Sequence, residues 1–113
     1  MIACVDLDGT ISADPEFYRS ELRGLMERHH QVHVLTGNPD APRTLASLGL
    51  QKGRHYTTVV TVPKKRIARF KVAYMRHVGS TQLIDNRGKN CKAAQKAGFT
   101  AHHHMRPKAP EEG

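Results

Sequence analysis

Met1-Ile2-Ala3-Cys4-Val5-Asp6-Leu7-Asp8-Gly9-Thr10-Ile11 says more about the fold than any other part of the chain. Met1 to Leu7 reads as a strand, and its near-continuous apolar run Ile-Ala-Cys-Val suits one buried on both faces. It runs into two acids separated by one residue. In extended backbone, residues i and i+2 point to the same side. Asp6 and Asp8 can therefore work together, as nucleophile and general acid or as joint holders of a hard cation. Gly9-Thr10 then turns the chain away.

Outward from this strand the chain alternates strand and helix. Asp14-Pro15-Glu16 is a helix start, with an acid at the N-cap, proline in the first turn and a second acid favoured by the helix dipole. Phe17, Leu22, Leu25 and Met26 fall on one face of that helix. Gln31 to Leu35 reads as a second strand, closed by Thr36-Gly37-Asn38-Pro39. Asp40-Ala41-Pro42 opens a helix that runs through Leu45 and Leu48 to Gly49. His55 to Val62, rich in threonine and valine, reads as a third strand that Pro63 ends. Lys64 to His77 is strongly amphipathic, with Ile67, Phe70, Tyr74 and Val78 at helical spacing and Arg66, Arg69 and Arg76 elsewhere. Gln82 to Ile84 is a fourth strand running into Asp85-Asn86. A helix from Asn90 to Ala97, stopped by Gly98, leads to a fifth strand, Phe99 to His103. This alternation specifies an α/β three-layer sandwich around a mostly parallel five-stranded Rossmann-like sheet. Residues 1–105 form one expected domain, and 106–113, with Pro107 and Pro110, an expected disordered tail.

Ligands of such sheets sit beyond the carboxyl ends of the strands. Those ends carry Asp6 and Asp8, Thr36, Lys64, and Asp85. The set is chemically coherent. Two acids can attack and protonate, a hydroxyl and a lysine can hold phosphate oxygens, and a third carboxylate can complete a magnesium site.

In their order these residues resemble the haloacid dehalogenase (HAD) superfamily. Asp6-Leu7-Asp8-Gly9-Thr10-Ile11 is similar to the first motif of that family. Leu35-Thr36-Gly37-Asn38 resembles the second. Leu83-Ile84-Asp85-Asn86, with Asn90, Ala93-Ala94 and Ala97-Gly98 after it, resembles the fourth. The third motif is a single cation ahead of the fourth. Lys64 and Lys65 both qualify and Lys71 less well; the stretch from Val62 to Arg87 resembles the phosphatase domain of polynucleotide kinase/phosphatases, which favours Lys64. Asn86 is a departure, since many members carry a second acid there, and the lost charge is expected to weaken metal binding.

The resemblance implies a magnesium-dependent phosphatase. Asp6 would attack phosphorus and carry the phosphoryl group, and Asp8 would protonate the leaving oxygen and later activate water. Mg2+ would be held by the Asp6 carboxylate, the Asp8 main-chain carbonyl and the Asp85 carboxylate. Thr36 and Lys64 would hold the phosphoryl oxygens. Gly9, Thr10, Gly37, Asn38, Lys65, Arg66 and Arg69 are expected to line the substrate, and Asn86 and Asn90 to stand behind the metal ligands. Family caps are inserted after the first motif or after the third strand, and neither place has room for one here. An open site suits a large substrate.

The formal net charge is +8, and a basic surface attracts polyanions, nucleic acid above all. Together with the resemblance this points to a phosphorylated nucleic-acid end, with a 3′-phosphate favoured over a 5′-phosphate. A small-molecule phosphatase or nucleotidase would share every catalytic residue, and a non-catalytic module that binds nucleic acid or a partner would keep only the fold. A phospho-receiver domain would carry its acceptor after a middle strand, whereas these acids are split between the first and fourth. Cys4 and Cys91 fall in a strand and a helix and read as reduced, buried thiols of a cytoplasmic protein. No apolar run approaches the ~20 residues that span a bilayer, and the N-terminus lacks a signal-peptide pattern. His102-His103-His104 alternate in direction along a strand, which argues against one shared zinc ion.

Overall fold

The structure, a computed structural model, describes residues 1–105; the expected tail at 106–113 lies outside the described residues. Its elements are β1 (Ile2–Val5), a wide helical turn (Leu7–Ile11), α1 (Pro15–Glu27), β2 (Gln31–Thr36), α2 (Ala41–Ser47), β3 (Thr58–Thr61), α3 (Ile67–Val78), β4 (Gln82–Asp85), α4 (Gly88–Lys96) and β5 (Thr100–His103). The five strands form one sheet in the order β3-β2-β1-β4-β5. Every neighbouring pair is parallel, which sharpens the expectation of a mostly parallel sheet.

β1 lies at the centre because its side chains are buried on both faces. Cys4 pairs in register with His33 of β2 and Leu83 of β4. The chain winds outward from β1 through β2 to β3, then returns to place β4 on the other side of β1. The point where the order reverses therefore lies between the ends of β1 and β4. Open α/β sheets bind their ligands in the crevice at such a point.

Two apolar layers flank the sheet. Val5, Val32 and Val34 pack with Tyr18, Leu22 and Leu25 of α1 and with Ala41 and Leu45 of α2. Cys4, Leu35 and Leu83 pack on the opposite face with Met75 of α3 and Ala94 of α4. Successive residues of β1 thus serve opposite cores, as strand geometry requires.

Three local expectations need correction. In α1 the buried aromatic is Tyr18, whereas Phe17 is 49% exposed. The α1 face is rotated by one residue because Tyr18, Leu22 and Leu25 keep helical spacing and Phe17 does not. In α3 the fully buried residues are Lys71 and Met75, and Phe70 is 43% exposed. The spacing of apolar residues alone places Phe70 inward, because it does not count a lysine as a core residue. β3 is shorter than the expected strand at 55–62. His55 and Tyr56 are buried in the loop before it, where His55 Nδ1 accepts from the Gln51 amide at 2.9 Å and Tyr56 O from the Gly53 amide at 2.8 Å.

Only residues 6–14 connect β1 to α1, and only residues 62–66 connect β3 to α3. No helix among the described residues is long and apolar enough to cross a membrane.

Candidate active site

Asp6 leaves the end of β1, and its amide donates to Ile84 O of β4 at 2.9 Å, which holds it at the switch point. The next residues cannot continue as a strand. Gly9 adopts φ +82, ψ −7, and the turn closes with the Ser12 amide donating to Leu7 O at 3.0 Å. A Cβ at Gly9 would collide with the Asn86 amide, so both the positive φ and the close approach of Asn86 require glycine here.

The charged centre is Lys71. Its Nζ donates to Asp6 Oδ1 and to Asp85 Oδ2, each at 2.8 Å, and its side chain is 1% exposed. Asp85 ends β4 with no exposed surface. Its Oδ2 also accepts from Asn90 Nδ2 at 2.9 Å, and its Oδ1 accepts from the Arg87 amide at 2.9 Å. A buried ion pair stands only when its remaining hydrogen-bonding capacity is met, and Asn90 and the start of α4 meet it. Burial pushes the Asp6 carboxyl above the usual carboxylate range. The Lys71 ammonium pulls it back, Asp85 raises it again, and the Lys71 and Thr10 hydrogen bonds oppose that rise.

Asp6, Asp8, Thr36, Gly37, Lys64 and Lys71 line one cavity of about 240 Å³, with Ile67, Arg87 and Asn90 completing its wall. Asp85 lies beneath it, reached through Lys71. Thr36 is 1% exposed and its Oγ1 accepts from the Asn38 amide at 3.1 Å, while Asn38 Nδ2 reaches Asp8 Oδ1 at 3.4 Å. The ends of β1 and β2 are thereby tied across the opening. Thr10 Oγ1 donates to Asp6 Oδ2 at 3.1 Å from the far side.

The oxygens around Asp6 fit a hard divalent cation. With its amide nitrogen turned toward them, Asn86 lies 2.9 Å from Asp6 Oδ2, 3.1 Å from the Asp8 carbonyl and 3.3 Å from Thr10 Oγ1. Of these oxygens the Asp6 carboxylate and the Asp8 carbonyl are the ones whose chemistry suits such a cation. Among the described residues no three His, Cys, Asp or Glu side chains cluster for a metal. Magnesium does not need them, since it commonly takes one or two carboxylates and keeps several waters.

Sequence reasoning misses Lys71 as the contact to both carboxylates. The available signal is phase. Ile67, Lys71 and Met75 recur every four residues, and a charge on a core-facing stripe must have buried partners. Lys64 stands on the wall of the cavity and makes no ion pair among the described residues. Arg87, also on that wall, belongs to none of the motifs. Lys65, Arg66 and Arg69 do not reach this cavity; they line a neighbouring hollow with Pro63 and Phe70. A hollow of about 800 Å³ lies against α1 among Arg19, Arg23 and Glu27, and none of the paired carboxylates lines it.

Cys4 and Cys91 are free and buried, and burial pushes both thiols up, which leaves neither poised as a thiolate. His102 bonds Gln82 Oε1 and His103 bonds Asn86 O, while His104 Nδ1 meets Tyr18 Oη at 2.8 Å. The three histidines have separate partners.

No family model matches the chain, and no curated protein does. Solved structures do. The chain is similar to the crystal structure of a HAD family enzyme from Bacteroides thetaiotaomicron in complex with magnesium and inorganic phosphate, with a TM-score of 0.62 and 17% identity. It is also similar to a variant of that enzyme with one aspartate changed to alanine, again with magnesium and inorganic phosphate, at a TM-score of 0.58 and 18% identity. Each match covers 86% of this chain and 56% of the other, so the chain spans little more than half the length of these neighbours. Over that shared span the chain has the fold of HAD family enzymes.

Proposed function

We propose that the protein is a magnesium-dependent phosphomonoester hydrolase that works through an aspartyl phosphate on Asp6. The observation that carries this reading is the Lys71 ammonium at 2.8 Å from both Asp6 and Asp85, at the sheet's switch point, beside Asp8 and Thr36. A nucleophilic carboxylate, a second acid, a hydroxyl and two lysines around one cavity are the parts phosphoryl transfer needs.

Asp6, held by Lys71 and Thr10, attacks phosphorus and displaces the alcohol. Asp8 gives the leaving oxygen its proton, then takes one from the water that cleaves the acyl phosphate. Such acid–base help is worth roughly 10²–10⁴ in rate. Thr36 and Lys64 bind the phosphoryl oxygens, and Lys71 stabilises the charge that passes between Asp6 and the phosphate. Asp6, the Asp8 carbonyl and Asp85 would hold magnesium, which when bound lowers the repulsion between an anionic nucleophile and an anionic phosphate. That the fold's solved neighbours carry magnesium and phosphate supports this assignment.

The substrate we propose is a phosphorylated nucleic-acid end. Its support is the net charge of +8, the Lys65-Arg66-Arg69 hollow beside the cavity, and the short connections that leave the opening free. Preference for a 3′-phosphate rests on the resemblance to polynucleotide kinase/phosphatases. The test has two arms. Asp6→Asn should abolish hydrolysis of a generic phosphate ester in magnesium; wild-type-like turnover would rule out the covalent mechanism. A phosphorylated oligonucleotide should outrun a mononucleotide in kcat/KM, with an advantage that shrinks as salt rises. Equal rates at low and moderate salt would reject the nucleic-acid substrate and favour a small phosphate ester.

A further inference from the structure

Phe70 is the outstanding surface residue near the site. It follows β3 and precedes Lys71 by one position, yet it is 43% exposed on α3. The segment 63–71 lines two cavities at once. Lys64, Ile67 and Lys71 face the cavity that holds Asp6. Pro63, Lys65, Arg66, Arg69 and Phe70 face a hollow of about 630 Å³ next to it. That second hollow has three cations and an aromatic ring in its lining, and no acid.

Single exposed apolar side chains are ordinary on protein surfaces. Phe70 differs in what surrounds it. Lone rings kept for packing have no need of three cations that form no ion pair among the described residues, whereas a groove that tracks a phosphate backbone while bases stack on an aromatic ring needs both. The entry to α3 is set for this presentation. Arg66 adopts φ +61, ψ +38, a left-handed conformation that a non-glycine residue holds only at a cost. That turn carries the chain from Lys64, on the cavity wall, to Arg69 and Phe70 on the adjoining surface.

We propose that Phe70 is a stacking platform for a base of single-stranded nucleic acid, with Lys65, Arg66 and Arg69 neutralising the flanking phosphates. This rests on the phosphatase reading, because it is the terminal phosphate against Asp6 that sets which base meets Phe70. Stacking on one ring tolerates every base, so the platform selects strandedness and length rather than sequence. A duplex end, whose bases are already stacked in pairs, gains less.

The test is a binding measurement that needs no turnover. A short single-stranded oligonucleotide with 2-aminopurine at its phosphorylated end is titrated into the wild-type protein, Phe70→Ala and Phe70→Trp, and its fluorescence is followed. Stacking should quench the wild-type signal. Phe70→Ala should lose the quench and bind on the order of ten-fold more weakly, and Phe70→Trp should keep both. Arg66→Glu and Arg69→Glu should flatten the salt dependence of binding, by about 0.7 in logarithmic slope for each phosphate no longer neutralised. An equal quench in wild type and Phe70→Ala, or no quench in either, overturns the platform. So does a hollow that takes an acidic peptide while leaving the aminopurine signal unchanged. Hydrolysis of a small generic ester by the same wild-type sample is read separately. A quench that depends on Phe70 in a protein that hydrolyses no ester would support the platform and remove the catalytic reading alone.

Discussion

At the centre of the site three charges share one buried volume, and Lys71 carries the positive one. Removing one member of a buried ion pair leaves the others uncompensated, at a cost of about 3–5 kcal/mol. Lys71→Met should therefore lower the unfolding free energy by roughly that amount, as well as stopping turnover. Lys64 is exposed, so Lys64→Ala should change stability by no more than about 0.5 kcal/mol while raising KM. Urea denaturation of both variants checks the contrast, and a Lys71→Met protein as stable as wild type would remove Lys71 from the charge balance. Asn86 gives a second prediction at this scale. Its amide faces Asp6 Oδ2 and the Asp8 carbonyl, where a second carboxylate would add a charge for a cation. Asn86→Asp should tighten magnesium binding, measured calorimetrically, on the order of ten-fold, since ligand charge tunes affinity for hard cations. The same change should destabilise the metal-free protein, because the introduced carboxylate would face other oxygens. Unchanged affinity would place the cation away from Asn86.

Among the elements, β2 and α3 are joined by a polar contact inside the sandwich. His33 Nε2 donates to Gln31 Oε1 at 2.9 Å, which leaves Nδ1 to accept from Tyr74 Oη at 2.7 Å. Burial lowers the His33 pKa from its ordinary 6.5. Burial and the positive charges of Arg54, Arg23 and Arg19 lower that of His55 as well. A histidine held neutral by the fold contributes stability that is complete above its unfolded pKa and is lost as pH falls through the folded value. Unfolding free energy should accordingly decline from about pH 7 to about pH 5, and His33→Asn should flatten part of that slope. A pH-independent midpoint over this window would contradict the assignment. The elements also show what is legible in the sequence. The strand–helix alternation and the acids at the strand ends can be read because apolar runs and turn residues mark them directly. The phase of α3 is misread when apolar residues alone are counted, because its core stripe of Ile67, Lys71 and Met75 contains a lysine whose partners lie on β1 and β4, far away in the chain. That the chain turns at Gly9 can be read, but the wide helical form of the Leu7–Ile11 turn is hidden for a similar reason. Its shape is set by Gly9 packing against Asn86, a contact between distant segments.

For the molecule as a whole, a parallel sheet with its order reversed at β1 and β4 gathers Asp6, Asp8, Thr36 and Asp85 from three strand ends. Lys71 enters from a helix on one face. Geometry of this kind explains how a chain of 113 residues builds a site whose parts are spread over most of its length. The +8 charge acts at longer range and should make association with polyanions fall with salt. The mechanism we propose turns on Asp6 becoming phosphorylated. The decisive experiment is to react the protein with a phosphomonoester in magnesium, quench with acid, and map the phosphoryl group by peptide mass spectrometry. We expect a hydroxylamine-sensitive phosphoryl group on Asp6, accumulating in Asp8→Asn and absent in Asp6→Asn. Continued hydrolysis with no label on Asp6, or a label on another residue, would refute the covalent mechanism.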